Sequence, residues 1–268
     1  GSLDRLSLLG SDDPEAGYEG DSHFFPDGYD AIPLTLARTL DVRLNQGVRA
    51  VRVTGDEVLV MTDSGTERAD AVVVTVPLGV LREGAIRFEP PLPSEKIEAI
   101  SGLEMGTLNK VIFKFPTPFW SGDGQTFQYL SETRGEFPLI IDWHAASGNP
   151  ALILFTGGAY ALAMEEREDA RVTADAMRVV RTCFGTGAPD PTGVLIQRWS
   201  QDPHTRGSYS FVPVGSSPDA RDALAQPVND RLFFAGEATN RRNPATVHGA
   251  YESGLRVANQ VAVALDLA

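Results

Sequence analysis

Residues 231–249 combine an apolar run, a glycine, an acidic side chain and a predicted helix start, a combination that could bind an anionic ligand. The run 231–235 has the composition of a buried strand and ends at Gly236, where backbone can approach a ligand closely. Glu237 follows, and a long helix is predicted to begin around Thr246. The first amides of a helix have no intrahelical partner, and its dipole is positive at that end. This start could therefore stabilise a phosphate or a group that becomes anionic.

The predicted C-terminal helix contains two glycines and an apolar stripe. Gly249 and Gly254 each cost roughly 1 kcal/mol of helix stability relative to alanine, and close packing against a flat or bulky group would explain them. Apolar residues at three- and four-residue steps form the stripe: Val247, Tyr251, Leu255, Ala258, Val261 and Leu265. The alternative is an ordinary C-terminal helix whose small residues pack on a sheet.

The composition limits the classes of protein to which the chain can belong. It has 268 residues and a formal net charge of −13, which argues against nucleic acid as a direct ligand and would attract protonated amines. No run of about 18 apolar residues occurs, and no basic stretch followed by an apolar block lies near the first residue. We therefore expect a soluble, cytoplasmic protein without a membrane span.

Cysteine and lysine are both rare. The single cysteine, Cys183, cannot form an internal disulfide, and we expect it to be a small buried residue. No cluster of cysteine and histidine has the spacing of a zinc site, so no metal is predicted. Only three of the 23 basic residues are lysines (Lys96, Lys110 and Lys114), so each is a candidate for a specific role.

The elements that must position these residues are short strands and helices in mixed order. Residues 1–22 are polar and are predicted to form a loop. The run 71–76 is unbroken, so it predicts a strand buried on both faces. By itself this pattern is α/β or α+β. Periodicity predicts helices at 30–40, 94–101, 169–183 and 245–265, and strands at 48–53, 58–61, 71–76, 110–115, 125–130, 138–143, 151–156, 194–199 and 231–235.

Five motifs resemble, in order, the sequences of the flavin amine oxidases, a family that includes monoamine oxidases, polyamine oxidases and histone lysine demethylases. The resemblance runs from about His23 to the end of the chain. The motifs are TVPLGVL at 75–81, FEPPLP at 88–93, LNKV at 108–111 with FW at 119–120, RW at 198–199 with GSYS at 207–210, and GE at 236–237 with ATVHGA at 245–250 and SGLR at 253–256.

The resemblance implies FAD as the cofactor and assigns contacts with it by position. Gly236 and Glu237 match residues beside the phosphates and ribitol. Thr246 and Val247 match residues under the pyrimidine end of the isoalloxazine, where a helix start would stabilise negative charge on the reduced flavin. Val48 matches the valine whose backbone meets the adenine. The remaining implied cofactor contacts are Thr75, Pro77 and Trp199.

The resemblance also implies the catalytic residues Lys110, Tyr209 and Thr246. Lys110 matches the lysine that holds a water against flavin N5, and burial there would lower its pKa. Lys114, by contrast, is expected to be a solvated lysine at a strand end. Tyr209 matches one wall of the family's aromatic cage, and the second wall falls on Thr246. His204 either lines this site or lies on a surface loop.

Two departures point away from the monoamine oxidases and towards the polyamine oxidase and histone demethylase side of the family. Ser208 occupies the position of the cysteine that bonds the flavin in monoamine oxidases, so the FAD is expected to be non-covalent. Thr246 replaces a cage tyrosine, so the cage is expected to be half open.

Whole family members open with a strand, a Gly-x-Gly-x-x-Gly turn and a helix that hold the FAD pyrophosphate, and that spacing is absent here. The resemblance therefore implies an α/β fold with α+β character: an incomplete FAD-binding Rossmann-like domain at 15–106 and 218–268, and a mixed-sheet substrate-binding domain at 107–217 with 1–14. We expect a second polypeptide to carry the missing segment. A split gene, proteolytic processing and a truncated chain are all compatible with this pattern.

The implied function is oxidation of an amine C–N bond by hydride transfer to flavin N5, with dioxygen reduced to hydrogen peroxide. The expected substrate is a small-molecule amine. An L-amino-acid oxidase of the same superfamily is the nearest alternative, but it would need an arginine for the carboxylate, and none could be placed. A non-catalytic structural or binding subunit that retains the fold is the other alternative.

Overall fold

The computed structural model describes residues 3–8, 25, 28–121 and 125–267, so most of the predicted loop at 1–22 lies outside the described residues. The chain divides into two compact units. Residues 202–217, which were predicted in the substrate-binding range, belong to the first unit. The assignment of either unit to FAD or to substrate stays a prediction. Of the described residues, 3–8, 43–106 and 202–267 form the first unit, and 25, 28–42, 107–121 and 125–201 form the second.

Every helix and strand predicted from periodicity is present, with ends that differ by a few residues. The helices are α1 (Ala31–Ala37), α2 (Leu78–Glu83), α3 (Ser94–Ser101), α4 (Trp143–Ser147), α5 (Gly158–Glu165), α6 (Asp169–Phe184), α7 (Asp219–Ala225) and α8 (Val247–Ala264). The strands are β1 (Val48–Thr54), β2 (Glu57–Thr62), β3 (Gly65–Ala69), β4 (Val72–Val74), β5 (Arg87–Glu89), β6 (Glu104–Gly106), β7 (Leu108–Lys114), β8 (Thr126–Gln128), β9 (Leu139–Asp142), β10 (Ala151–Gly157), β11 (Gly193–Ile196), β12 (Tyr209–Phe211) and β13 (Leu232–Phe234).

The first unit contains three small sheets. One has the order β3-β2-β1-β5, the second is the parallel pair β13-β4, and the third is the antiparallel pair β12-β6. Strand β13 is buried on both faces: Phe233 packs against Val257 of α8, while Phe234 packs with Val51 and Val58 of the larger sheet. The parallel pair is thus the middle layer between a helix and a sheet.

Strand β4 departs from the sequence prediction. The run 71–76 predicted a strand buried on both faces, but only Val72–Val74 is extended, and Val73 is exposed while Val74 is buried. That prediction is wrong because α8 packs against Phe233 of β13 but leaves its neighbour Val73 on β4 exposed.

The second unit is built on an antiparallel sheet with the order β11-β7-β10-β9-β8. Its core contains Val111 and Phe113 of β7, together with Val172 and Val180 of α6. Cys183 lies in the last turn of α6 and is exposed, so the prediction of a buried cysteine is wrong. Among the described residues, no helix has the length and apolar character needed to cross a bilayer.

Candidate functional site

The carboxyl ends of the parallel strands β4 and β13 form the centre of the candidate site in the first unit. The N–H of Ala235 donates to the carbonyl of Val74 at 3.1 Å, so Thr75 and Gly236 leave the two strands at neighbouring positions. Thr75 and Pro77 are both described at this edge, and Pro77 immediately precedes α2. Ligands of open α/β sheets bind in the crevice outside the carboxyl ends of the strands.

Gly236 offers bare backbone at this edge. Its φ of 126° and ψ of 166° lie in a region that glycine alone adopts readily. A β-carbon built at this position would meet no other atom within 4 Å, and the N–H of Gly236 donates to Ser253 Oγ at 2.8 Å. An open backbone anchored to α8 fits the close approach of a phosphate or ribitol group, which is the contact that FAD would make here.

The start of α8 is formed by a side-chain cap. Thr246 Oγ1 accepts a hydrogen bond from the N–H of Gly249 at 3.0 Å and donates to the carbonyl of Asn243 at 2.8 Å. Such a cap fixes the first turn, whose end of the dipole is positive. Since the hydroxyl of Thr246 serves the cap, a substrate contact from this residue would come from its methyl group or backbone. Val247, the first residue of the helix, is exposed.

The first half of the predicted apolar stripe of α8 is exposed, whereas Val261 in the second half packs against the cluster of Phe233 and Val257. Val247, Tyr251 and Leu255 are 51%, 51% and 53% exposed, whereas the helix buries Gly249 and Ser253 on its other face. The periodicity of the helix is confirmed, and the burial of Gly249 and Ser253 agrees with the alternative in which small residues of this helix are packed. The exposed stripe is a surface of large apolar side chains beside the candidate site.

Glu237 has a structural role that the sequence did not predict. Its carboxylate accepts hydrogen bonds from Ser210 N at 2.9 Å, from Ser210 Oγ at 2.7 Å and from Ala245 N at 2.8 Å. Both oxygens are therefore engaged by the protein itself. A contact between FAD and this residue would come from its backbone at the strand end.

Three other predicted residues belong to the first unit: Val48, His204 and Tyr209. Tyr209 is half-buried in β12 opposite Gly106 of β6. Val48 begins β1 and packs against the cluster that contains Val74. His204 is exposed, with its N–H donating to Asp202, which favours the surface-loop interpretation.

Lys110 and Trp199 belong to the second unit. Lys110 lies on β7 opposite Phe155, with Nζ 5.4 Å from the ring centroid, and burial lowers the pKa of its amino group from the usual value. Lys114 at the end of the same strand is exposed. The carbonyl of Lys110 accepts from Gln197 N at 3.0 Å, so the strand is joined to the segment that leads to Trp199.

A buried polar group behind Lys110 was missed by sequence reasoning. Asn109 donates to Glu165 Oε1 at 2.7 Å and accepts from Trp199 N at 3.2 Å, and Ser200 N donates to the same carboxylate oxygen at 3.1 Å. These bonds hold the Trp199 segment against β7. Sequence reasoning could have found Asn109 only through its position next to Lys110, because its partner Glu165 is 56 residues away in sequence.

Two solved structures share this fold. A putrescine oxidase bound to putrescine superposes with a TM-score of 0.75 at 24% identity, over 87% of this chain and 52% of that chain. The cyclohexylamine oxidase of Brevibacterium oxydans IH-35A gives a TM-score of 0.70 at 21% identity, over 82% of this chain and 48% of that chain. At these identities the likeness establishes the fold.

Curated relatives are more similar in sequence. The lysine-specific histone demethylase 1 homolog 1 of Oryza sativa subsp. japonica is 44% identical over 263 residues, which is 96% of this chain and 31% of the relative. The human lysine-specific histone demethylase 2 is 37% identical over 255 residues, covering 92% of this chain and 31% of the relative. The chain thus spans about a third of the length of these relatives.

The family profile described as flavin containing amine oxidoreductase matches residues 8–262. The predicted fold class and the resemblance to the histone demethylase side of the family are confirmed by these similarities. Because the profile covers nearly the whole chain, and the open backbone at Gly236 fits the cofactor, FAD is the cofactor implied for this fold. The chain belongs to the family of flavin-containing amine oxidoreductases.

Proposed function

We propose that this chain forms part of an FAD-dependent amine oxidase. When bound, FAD would supply a hydride acceptor, N5, for the carbon next to the amine nitrogen, and it would carry two electrons to dioxygen to give hydrogen peroxide. The substrate amine becomes an imine, and water hydrolyses the imine to a carbonyl compound and an amine. The overall change consumes one amine, one dioxygen and one water.

The observation that carries this proposal is the meeting of two features at one sheet edge. Gly236 presents open backbone at the carboxyl end of β13, and Glu237, the next residue, accepts a hydrogen bond from Ala245 N, which directly precedes the N-cap Thr246 of α8. A phosphate-bearing cofactor would use the first feature. The positive end of the helix would stabilise a ring that gains negative charge on reduction.

Three residues of the chain are proposed to act on the substrate side. Burial lowers the pKa of Lys110, so its amino group would give up a proton more readily than an ordinary lysine while it holds a water. Tyr209 would form one wall of a cage that packs the apolar part of an amine. Thr246 would leave the opposite wall open, since its hydroxyl is turned into the helix cap.

We further propose that a glycine-rich dinucleotide-binding segment, expected on a second polypeptide, completes the cofactor site. Three observations support this. The parallel pair β4–β13 has only two strands among the described residues, whereas parallel sheets are normally larger and covered on both faces. The apolar stripe of α8 is about half exposed. About half of the putrescine oxidase chain has no counterpart in this chain.

The expected substrate is a small amine. We expect the FAD to be bound non-covalently, because Ser208 stands in place of the cysteine that would bond the flavin. The names of the relatives provide two classes of amine for assay: putrescine, and a methylated lysine of a histone peptide. The net charge of −13 would favour entry of either cation. A cytoplasmic location belongs to the same proposal.

The test starts from the protein purified from its source with any polypeptide that accompanies it. We expect its mass spectrum to show a second chain, denaturation to release FAD, and these amines, but not L-amino acids, to produce hydrogen peroxide. Peroxide formed only from L-amino acids would replace the proposal with the amino-acid oxidase alternative. A colourless preparation that releases no FAD would overturn it in favour of a non-catalytic subunit.

A further inference from the structure

The Glu237 carboxylate joins two segments that are far apart in sequence. Oε1 accepts from Ser210 N, and Oε2 accepts from both Ser210 Oγ and Ala245 N, at 2.7 to 2.9 Å. Ser210 belongs to β12, and Ala245 directly precedes the N-cap of α8. One side chain therefore holds a strand and a helix start at a fixed distance.

A buried arginine completes this contact. Arg221 Nη1 donates to Ser210 Oγ at 2.7 Å and lies 3.9 Å from Glu237 Oε2. Arg221 also donates to the carbonyl of Ala238 at 3.3 Å. The side chains of Arg221 and Glu237 are 4% and 23% exposed, so water screens their attraction weakly. Ser210 Oγ accepts from the cation and donates to the anion, so it bridges Arg221 and Glu237.

The backbone at Ala245 shows that this segment is held in place. Its φ is 60°, in the left-handed region that is disfavoured for residues with a β-carbon. The hydrogen bond from Ala245 N to Glu237 is a charge-assisted contact that can maintain this conformation. Thr246, the next residue, then caps the helix.

We infer that Glu237, Ser210 and Arg221 form a positioning clamp that fixes Tyr209 relative to the start of α8. Tyr209 and Ser210 are adjacent in β12, and Ala245 and Thr246 are adjacent at the helix start. The clamp thus connects the proposed substrate-cage residue with the residues proposed to lie under the flavin. This inference rests on the proposed function for what the clamp positions, although not for its contacts.

The test compares Glu237→Gln and Ser210→Ala, singly and together, in the flavin-loaded protein with its accompanying polypeptide. The Glu237→Gln substitution would keep the shape of the side chain but remove the charge and one acceptor oxygen. We expect each single variant to lower kcat/KM for the amine about tenfold to a hundredfold per bound flavin, with the FAD content retained. We expect the kcat/KM of the double variant to lie within about twofold of the kcat/KM of the less active single variant.

The control is Glu57→Gln, which breaks an exposed ion pair with Arg68 in the same unit and should change neither quantity. Additive losses, or a loss of FAD with kcat per remaining flavin unchanged, would overturn the clamp. A readout that needs no turnover is amide hydrogen exchange, which should become at least about tenfold faster at Ser210 or Ala245 in Glu237→Gln. Unchanged exchange would also overturn the clamp, whereas faster exchange in a protein without amine turnover would support the clamp and count against the proposed function.

Discussion

Gly249 lies directly against the backbone carbonyl of Asn243, so a β-carbon at residue 249 would overlap that carbonyl. Packing within the chain therefore explains Gly249, for which the sequence analysis had suggested packing against a flat or bulky group. Gly254, five residues further along α8, has no such neighbour, since a β-carbon there would meet no atom within 4 Å. The two glycines therefore have different reasons and should respond differently to substitution.

We predict that Gly249→Ala lowers the free energy of unfolding by about 1–3 kcal/mol, because the overlap forces the backbone of the capping loop to shift. Gly254→Ala should raise it by up to about 1 kcal/mol through helix propensity alone. Urea unfolding of the two variants checks both values. Equal effects of the same sign would contradict the structural distinction between the two positions.

Lys110 and Lys114 offer a matched pair for testing the proposed catalytic lysine, because they lie on one strand and differ in burial. We predict that Lys110→Met lowers amine turnover about a hundredfold, the magnitude expected for loss of a group that assists proton transfer, while Lys114→Met leaves it unchanged. The lowered pKa of Lys110 means that its amino group loses its proton at a lower pH than an ordinary lysine. An ionisation below the usual lysine range should therefore appear in the pH profile of the wild type and of Lys114→Met, and disappear in Lys110→Met.

Turnover that is unchanged in Lys110→Met would remove the role assigned to this lysine. A profile in which all three proteins share the same ionisations would do so as well. Retention of FAD in each variant is the control that separates catalysis from cofactor binding.

Lys96 is a buried lysine to which the sequence assigned no particular role. It is 3% exposed, and its ammonium donates to the carbonyls of Ala223, Leu224 and Gln226 at the end of α7 while lying 4.3 Å from the centroid of the Phe234 ring. Burial lowers its pKa to about 8 from 10.5, with a smaller contribution from the positive charge of a nearby arginine.

A folded-state pKa below the unfolded value means that the unfolded chain binds more protons between pH 8 and 10.5. The stability contributed by this group is therefore fully present above the unfolded pKa and is lost as the pH falls through the folded pKa. We predict that the free energy of unfolding of the wild type, relative to Lys96→Met, rises between about pH 7.5 and about pH 10. Urea unfolding at both pH values measures this, with Lys114→Met as the exposed control. A difference that does not depend on pH would contradict the lowered pKa.

The sequence predicted local elements well because their signals are local. The helix Ser94–Ser101 was predicted with its observed ends, since Pro93 precedes it and Gly102 follows it. The sequence also predicted correctly that Lys110 is more buried than Lys114. That prediction came from the resemblance of the LNKV motif to the family and not from periodicity.

Features that depend on distant residues could not be predicted. The partners of Glu237 lie in two segments, one of them 27 residues away, and no periodicity links them. The sequence also left open which residues of α8 are covered, and the unit buries Gly249 and Ser253 together with Val257. Which face of a helix is covered depends on what packs against it, and that information is not local.

The exposed stripe of α8 yields a test of the proposed second polypeptide. Tyr251 lies in the middle of the stripe and is 51% exposed, and Val263 near the end of the same helix is 71% exposed. Since neither side chain contributes to a buried core, replacing either with glutamine should change the chain's own free energy of unfolding by less than about 0.5 kcal/mol. If a glycine-rich segment covers the stripe, Tyr251→Gln would bury an amide that has no hydrogen-bond partner. Retention of FAD and of the accompanying polypeptide should then fall about tenfold. Val263→Gln should retain both, and identical retention in the two variants would show that the stripe is not the covered surface.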